Sequence, residues 1–355
     1  MIRIAIYLSK TFIFSWLTVT FGFLILIGLL DSLANGGEIM SDGRGFAATF
    51  EYMAYRAPVI FDRVLLFTVM VAILLTFVKL IRQHELVAII GFGISVPRQI
   101  AMLTPAVVGV TTMAILFINT MTPPAVQALQ TWGVGEYKRS AITEDKPLWL
   151  QDRTRIVLAT GRPAMDTLTN LQFFDQMENG EISVISWIGQ AKYDGTTWQL
   201  SDVTRVPTQE KVTPTELTTW DSEHTPLSIA KLAADPRDLS FKDMRLFMQK
   251  GNSGSKPSFA YTFWYWHRLT RPLAAFILLL CAAPIMQKTG REDTGDKALM
   301  LGIFTGFIYL IIDGALSTFA VSGGLPVAWA IALPLAIFAL IGAFLSLKTE
   351  ALGKI

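Results

Sequence analysis

Histidine, cysteine and glycine-rich loops are the first places to look for chemistry in this chain. The three histidines stand at 84, 224 and 267, and none has a metal-ligand residue three or four positions on. A histidine metal site on a helix needs that spacing to bring two ligands to one face. The lone cysteine, Cys281, lies in an apolar segment. One thiol forms neither an intramolecular disulfide nor a multi-cysteine metal centre. There is no G-x-x-x-x-G-K-[ST] phosphate loop and no G-x-S-x-G nucleophile elbow, and Gly91-Phe92-Gly93 is too short for a dinucleotide loop. No catalytic centre and no cofactor is expected in this chain.

What remains is binding chemistry. Lys79 to Gly91 begins charged and continues as Glu85-Leu86-Val87-Ala88-Ile89-Ile90. The pattern predicts an interfacial amphipathic helix over about 82–91, closed by Gly91 or Gly93, with Arg82, Glu85, Leu86 and Val87 available to a docking partner. Basic residues gather near span ends: Arg56 and Arg63, then Lys138 and Arg139, then Arg268 and Arg271 beside His267. Such a set attracts headgroups or phosphates, or anchors helices at the interface beside Trp264, Tyr265 and Trp266. Asp313 falls mid-way along an apolar stretch. A carboxylate there is expected to face the bundle interior or a cavity.

The elements that position these residues follow from composition. The 355 residues are 52% hydrophobic and 16% charged, against about 25% charged in a soluble domain. The deficit falls in two blocks, and the stretch between them has ordinary soluble composition. Six apolar segments reach bilayer length, at about 11–30, 60–79, 100–120, 266–286, 298–320 and 326–347. The first is too long for a signal-peptide core and lacks an A-x-A site, so it is read as a retained helix. Asp62 and Arg63, at the start of the second, are expected at the interface. Lys10, Lys79, Arg82, Arg98, Lys297 and Lys348 flank one side of the spans, which predicts both termini inside and the middle segment outside. The net charge of +2, without a long basic run, argues against nucleic-acid binding.

The organisation is therefore three helices over 1–124, a module over 125–260 and three helices over 261–355. Within the module, short apolar runs alternate with Asn179-Gly180 and Asp194-Gly195, favoured hairpin turns. The fold class is an α-helical membrane protein with six transmembrane helices, three plus three, and an inserted all-β periplasmic domain of sandwich or jellyroll type. Pro207 to Pro226 reads as edge or loop, and Asp238 to Lys250 as a short amphipathic helix.

These residues and their order resemble the LptF/LptG family of lipopolysaccharide export permeases. Arg82 to Ser95, with Glu85-Leu86-Val87 and Gly93, is similar to the family's coupling helix. Trp266, Arg268, Pro272 and Leu273 fall where the family has a W-x-K-x-x-x-P-L pattern. Gly302 to Phe307, with Tyr309, Asp313 and Gly324-Leu325-Pro326, looks more like LptG than LptF. The resemblance implies an ABC-transporter permease subunit that extracts lipopolysaccharide from the inner membrane and hands it to a periplasmic bridge. It implies an LptF-like second permease, an LptB-like ATPase dimer that carries the ATP and Mg, and an LptC-like membrane-anchored protein. Family members hold lysines after the first span against lipid phosphates; here Asp31 to Gly37 contains none, and Lys138 is the leading substitute. The alternatives are a lipoprotein-release or MacB-like permease, with one span before the outer domain and three after, and a non-transport membrane protein.

Overall fold

The computed structural model describes residues 2–41, 45–139, 142, 144, 147–164, 166–177, 180–208, 216–222, 224–249, 256–289 and 296–352. In chain order, α1 (Ile2–Ala34) leads through a turn, α2 (Gly36–Ile39), into α3 (Ala47–Arg82). The short α4 (Glu85–Gly91) precedes α5 (Val96–Trp132) and one further turn, α6 (Glu136–Arg139). Six strands follow: β1 (Leu148–Asp152), β2 (Arg155–Ala164), β3 (Thr167–Gln176), β4 (Ile182–Tyr193), β5 (Trp198–Pro207) and β6 (Thr219–Trp220). Then come α7 (Pro226–Ala233), α8 (Phe241–Gln249), α9 (Ser258–Thr289), α10 (Asp296–Val321) and α11 (Val327–Leu352). The chain forms two compact units. One comprises Met1–Gly36, Gly45–Thr122 and Phe263–Ile355; the other comprises Gly37–Arg44 and Pro123–Thr262.

The helical unit carries six helices long and apolar enough to cross a membrane, and each expected span lies inside one of them, save that the sixth was expected to begin one residue early, at Pro326. Burial separates them into two sorts. The apolar windows of α3 and α9 are each 67% buried, whereas those of α1 and α10 are 11% and 17% buried. The first two therefore make the core, and the second two present apolar flanks outward. Helices α10 and α3 approach closely because Gly302 and Gly306 carry no side chain there. A Cβ at either would collide with Leu74 or Met70 of α3. Small residues four apart permit this contact between membrane helices. Pro58, Pro272, Pro284 and Pro334 sit inside helices, as packed membrane helices tolerate.

In the other unit, each strand pairs antiparallel with its chain neighbour, so one six-stranded sheet runs β1-β2-β3-β4-β5-β6. Short turns join β1 through β5 in this order without a crossover. Its buried face holds Val157, Ala159, Leu171, Phe173, Ile188 and Ala191, closed by Trp198 and Trp220. Each buried indole donates: Trp198 Nε1 to the His224 carbonyl at 2.9 Å, and Trp220 Nε1 to Asp152 Oδ2 at 2.8 Å. Segments 182–188 and 191–193 belong to one strand, β4, and the β4–β5 turn is built by Asp194 and Gly195. Asn179 lies outside the described residues. The module also contains α7, which starts where Thr225 accepts from Ser228 N with Pro226 in the first turn. The helix expected near 238–250 is α8.

Candidate functional site

Two places in the helical unit concentrate polar chemistry: the α3–α4 joint and a buried charge cluster on α3, α9 and α10.

At the joint, α3 ends at Arg82 with Gln83 as its C-cap, and His84 takes a left-handed conformation with φ 56°. That single residue breaks the helix and redirects the chain into α4. The far end closes with Gly93 at φ 74°. Gly93 N donates to the Ile90 carbonyl at 2.8 Å, and Ile94 N to the Ile89 carbonyl at 3.3 Å. This is a Schellman cap, with Ile89 and Ile94 buried beside it. Leu86 and Ile89 face inward, while Val87 is 66% and Phe92 is 78% exposed. A short, capped helix thus holds an apolar outer side between two turns.

Two polar contacts tie this joint to distant helices. The Tyr7 hydroxyl on α1 lies 2.7 and 2.9 Å from the two Glu85 carboxylate oxygens and donates to that carboxylate. Arg82 pairs with Asp296, at the first residue of α10, at 3.2 Å. Both contacts are exposed, so their net stabilisation is small. Their value is positional: α4 is linked to α1 through Glu85, and the end of α3 that precedes it is linked to α10 through Arg82.

The buried cluster holds the ionisable groups the sequence placed inside spans. Asp62 of α3 is buried and pairs with Arg271 of α9, while Arg268 Nε stands 4.0 Å away. Asp62, expected to reach headgroups, instead points its side chain into the bundle against α9. A carboxylate inside an apolar bundle needs a cation, and α9 brings two within a turn of each other. Asp313 of α10 lies 3.0 Å from His267 Nε2, within hydrogen-bond distance. Phe263 stacks on the imidazole with centroids 5.2 Å apart. Asp313 thus faces the bundle interior.

The other expected basic residues are separated. Arg56 is buried and pairs with Asp31 of α1 at 2.7 Å, and Tyr52 donates to the same carboxylate at 2.9 Å. Arg63 is exposed. Lys138 and Arg139 end α6, and their side chains lie outside the described residues. Six residues go together in a way the sequence alone did not indicate: Tyr7, Asp31, Tyr52, Asp62, His267 and Asp296 each serve one of the singled-out groups. An available signal was the presence of opposite charges inside different apolar spans, since such charges survive there by pairing.

The profile of the family "Lipopolysaccharide export system permease LptF/LptG" matches residues 6–348. The chain belongs to this family. The match runs from the first turns of α1 almost to the end of α11, so the LptF/LptG pattern covers both units. The chain is similar to the lipopolysaccharide export system permease protein LptG of Escherichia coli strain K12, 23% identical over 218 residues. That alignment covers 60% of this chain and 61% of the relative, so it spans less than two thirds of the relative's length. The LptG protein of Haemophilus influenzae is 22% identical over 170 residues, covering 46% of this chain and 47% of that protein.

Proposed function

We propose that this chain is the LptG-like permease subunit of an ABC transporter that extracts lipopolysaccharide from the inner membrane and passes it to a periplasmic bridge. Family membership over 6–348 carries the reading. The chain pairs with an LptF-like subunit through the apolar flanks of α1 and α10, the least buried of the six spans. An LptB-like ATPase dimer, holding ATP and Mg, docks on α4. Its groove takes the exposed Val87 and Phe92, and Glu85 supplies the charged contact. ATP-driven closure moves α4, and the Tyr7–Glu85 and Arg82–Asp296 links carry that motion to α1 and α10. The cavity between the two permeases then narrows and expels the lipid toward an LptC-like partner. Both termini and α4 are cytoplasmic, and the β module is periplasmic.

Arg56, Arg268 and Arg271 already neutralise carboxylates of this chain. Recognition of lipid phosphates is assigned to the exposed Arg63 together with Lys138 and Arg139. The lipoprotein-release reading requires one span before the outer domain. Here three membrane-length helices, α1, α3 and α5, precede β1, which favours the lipopolysaccharide reading.

The test is co-purification of the permease pair with its ATPase in mild detergent. Glu85→Ala removes a charge-assisted contact, so the retained ATPase should drop about tenfold. Undiminished retention and an undiminished ATPase rate would take Glu85 out of the mechanism. Export of lipopolysaccharide that persists in cells depleted of this chain would overturn the function itself.

A further inference from the structure

A further contact leaves the α3–α4 joint, and unlike the links through Glu85 and Arg82 it is buried. Ile94 closes α4: its N–H donates to the Ile89 carbonyl at 3.3 Å. Its own carbonyl accepts from Gln99 Nε2, near the start of α5, at 3.0 Å. Gln99 Oε1 in turn accepts from Gln287 Nε2, near the end of α9, at 2.9 Å. A carbonyl only accepts, so Ile94 fixes which way the Gln99 amide faces and leaves its oxygen for Gln287. An unbroken run of hydrogen bonds therefore leads from α4 to α9. Ile94, Gln99 and Gln287 are 5%, 2% and 3% exposed.

That burial decides how the bridge behaves. The Tyr7–Glu85 and Arg82–Asp296 contacts are exposed, and exposed polar pairs give way to water easily. Amides inside a bundle have no water to turn to, so parting them strands both groups. Forming the pair nevertheless adds little net stability, because replacing both partners by apolar side chains of similar shape is close to neutral. What a directed pair adds is position: Gln287 keeps its partner only while α9 follows the exit of α4. Pro284 interrupts the backbone ladder of α9 just before Gln287. Ala283, Ile285 and Met286 around it are buried, so the last turn stays packed in the core. Further along, α9 carries Arg271 and His267, which meet Asp62 of α3 and Asp313 of α10. A displacement handed to α9 therefore reaches both of those helices.

We propose that Gln99 and Gln287 are positioning residues that hand the movement of α4 to α9, an inner route beside the exposed links to α1 and α10. The proposal deepens the coupling role given to α4 and rests on the permease reading above. It predicts that binding of the ATPase and its coupling to transport are separable. The outer side of α4, with Val87 and Phe92, governs the first, and the buried amides govern the second.

The experiment uses the full permease pair with its ATPase in proteoliposomes loaded with lipopolysaccharide. The Gln99→Leu/Gln287→Leu double variant removes both amides and strands neither. It should melt close to the unchanged chain and retain its ATPase. Lipid released per ATP hydrolysed should fall roughly fivefold, the change for two lost hydrogen bonds. Hydrogen exchange over 285–289, compared with and without ATP and vanadate, should change in the unchanged complex and not in the double variant. Gln287→Leu alone strands the Gln99 oxygen and should melt below the double variant. Undiminished release per ATP, or a nucleotide-dependent change in exchange that survives in the double variant, would each overturn the proposal. So would a double variant that melts well below the unchanged chain, because the pair would then be a structural brace. Failure of the permease reading looks different: the unchanged complex would release no lipid, and the exchange measurement alone would decide the bridge.

Discussion

Glu85 is held by Tyr7 in the isolated chain, so any partner that takes its carboxylate must displace that hydroxyl. Tyr7→Phe removes the internal competitor and leaves the ring. Retention of the ATPase should then equal or exceed that of the unchanged chain, while Glu85→Ala lowers it. ATPase-driven transport in proteoliposomes should nevertheless fall in Tyr7→Phe, because the link to α1 is lost. A loss of binding in Tyr7→Phe would mean that the hydroxyl orients Glu85 rather than competes for it. Asp62 has the opposite character. Removing one member of a buried charge group strands the others, at a cost of about 3–5 kcal/mol. Asp62→Asn should lower the detergent melting temperature sharply, and adding Arg271→Met should recover part of the loss, since one stranded cation is removed with it. Melting curves of the single and double variants decide this.

Among the elements, the β4–β5 hairpin and the α3–α10 contact make distinct demands. In the hairpin, the Asp194 carboxylate accepts from Thr197 N and Thr196 N, each at 2.9 Å, from the Thr196 hydroxyl at 3.0 Å and from Gln199 Nε2 at 2.8 Å. These donors hold its acidity well below the usual carboxylate range, the Thr197 amide and Gln199 first. A carboxyl depressed in the folded state stabilises fully above its unfolded value of about 3.9 and loses that contribution as pH falls through the folded value. Asp194→Asn should therefore lose protection of the hairpin amides at pH 6, by hydrogen exchange. The difference from the unchanged chain should shrink only in strong acid. In the α3–α10 contact, Gly306 leaves room for Met70. Gly306→Ala forces Met70 aside and should cost about 1–3 kcal/mol. Gly306→Leu should separate the helices and lower the yield of folded protein, read by size-exclusion chromatography.

On the scale of the whole molecule, the proposed topology is checked by labelling. Single cysteines at Ala88 and Thr204 should react with an impermeant maleimide from opposite sides of the membrane, the first only in inverted vesicles and the second only in intact spheroplasts. Reaction of both from one side would sink the lever arrangement. The same experiment bears on both units, because α4 and the β module are separated in the chain by the single long helix α5.

The sequence by itself determined the six spans, the strand-rich module, the helix near 238–250 and the short helix after Arg82. All of these rest on local rules: a bilayer-length apolar run, a period-two alternation, a glycine able to adopt positive φ. Tertiary structure alone decided which charges meet. Asp62 and Arg271 are 209 positions apart, and His267 and Asp313 are 46 apart. Each looks like an isolated polar residue in its own segment, because the partner is supplied by another helix once the bundle forms.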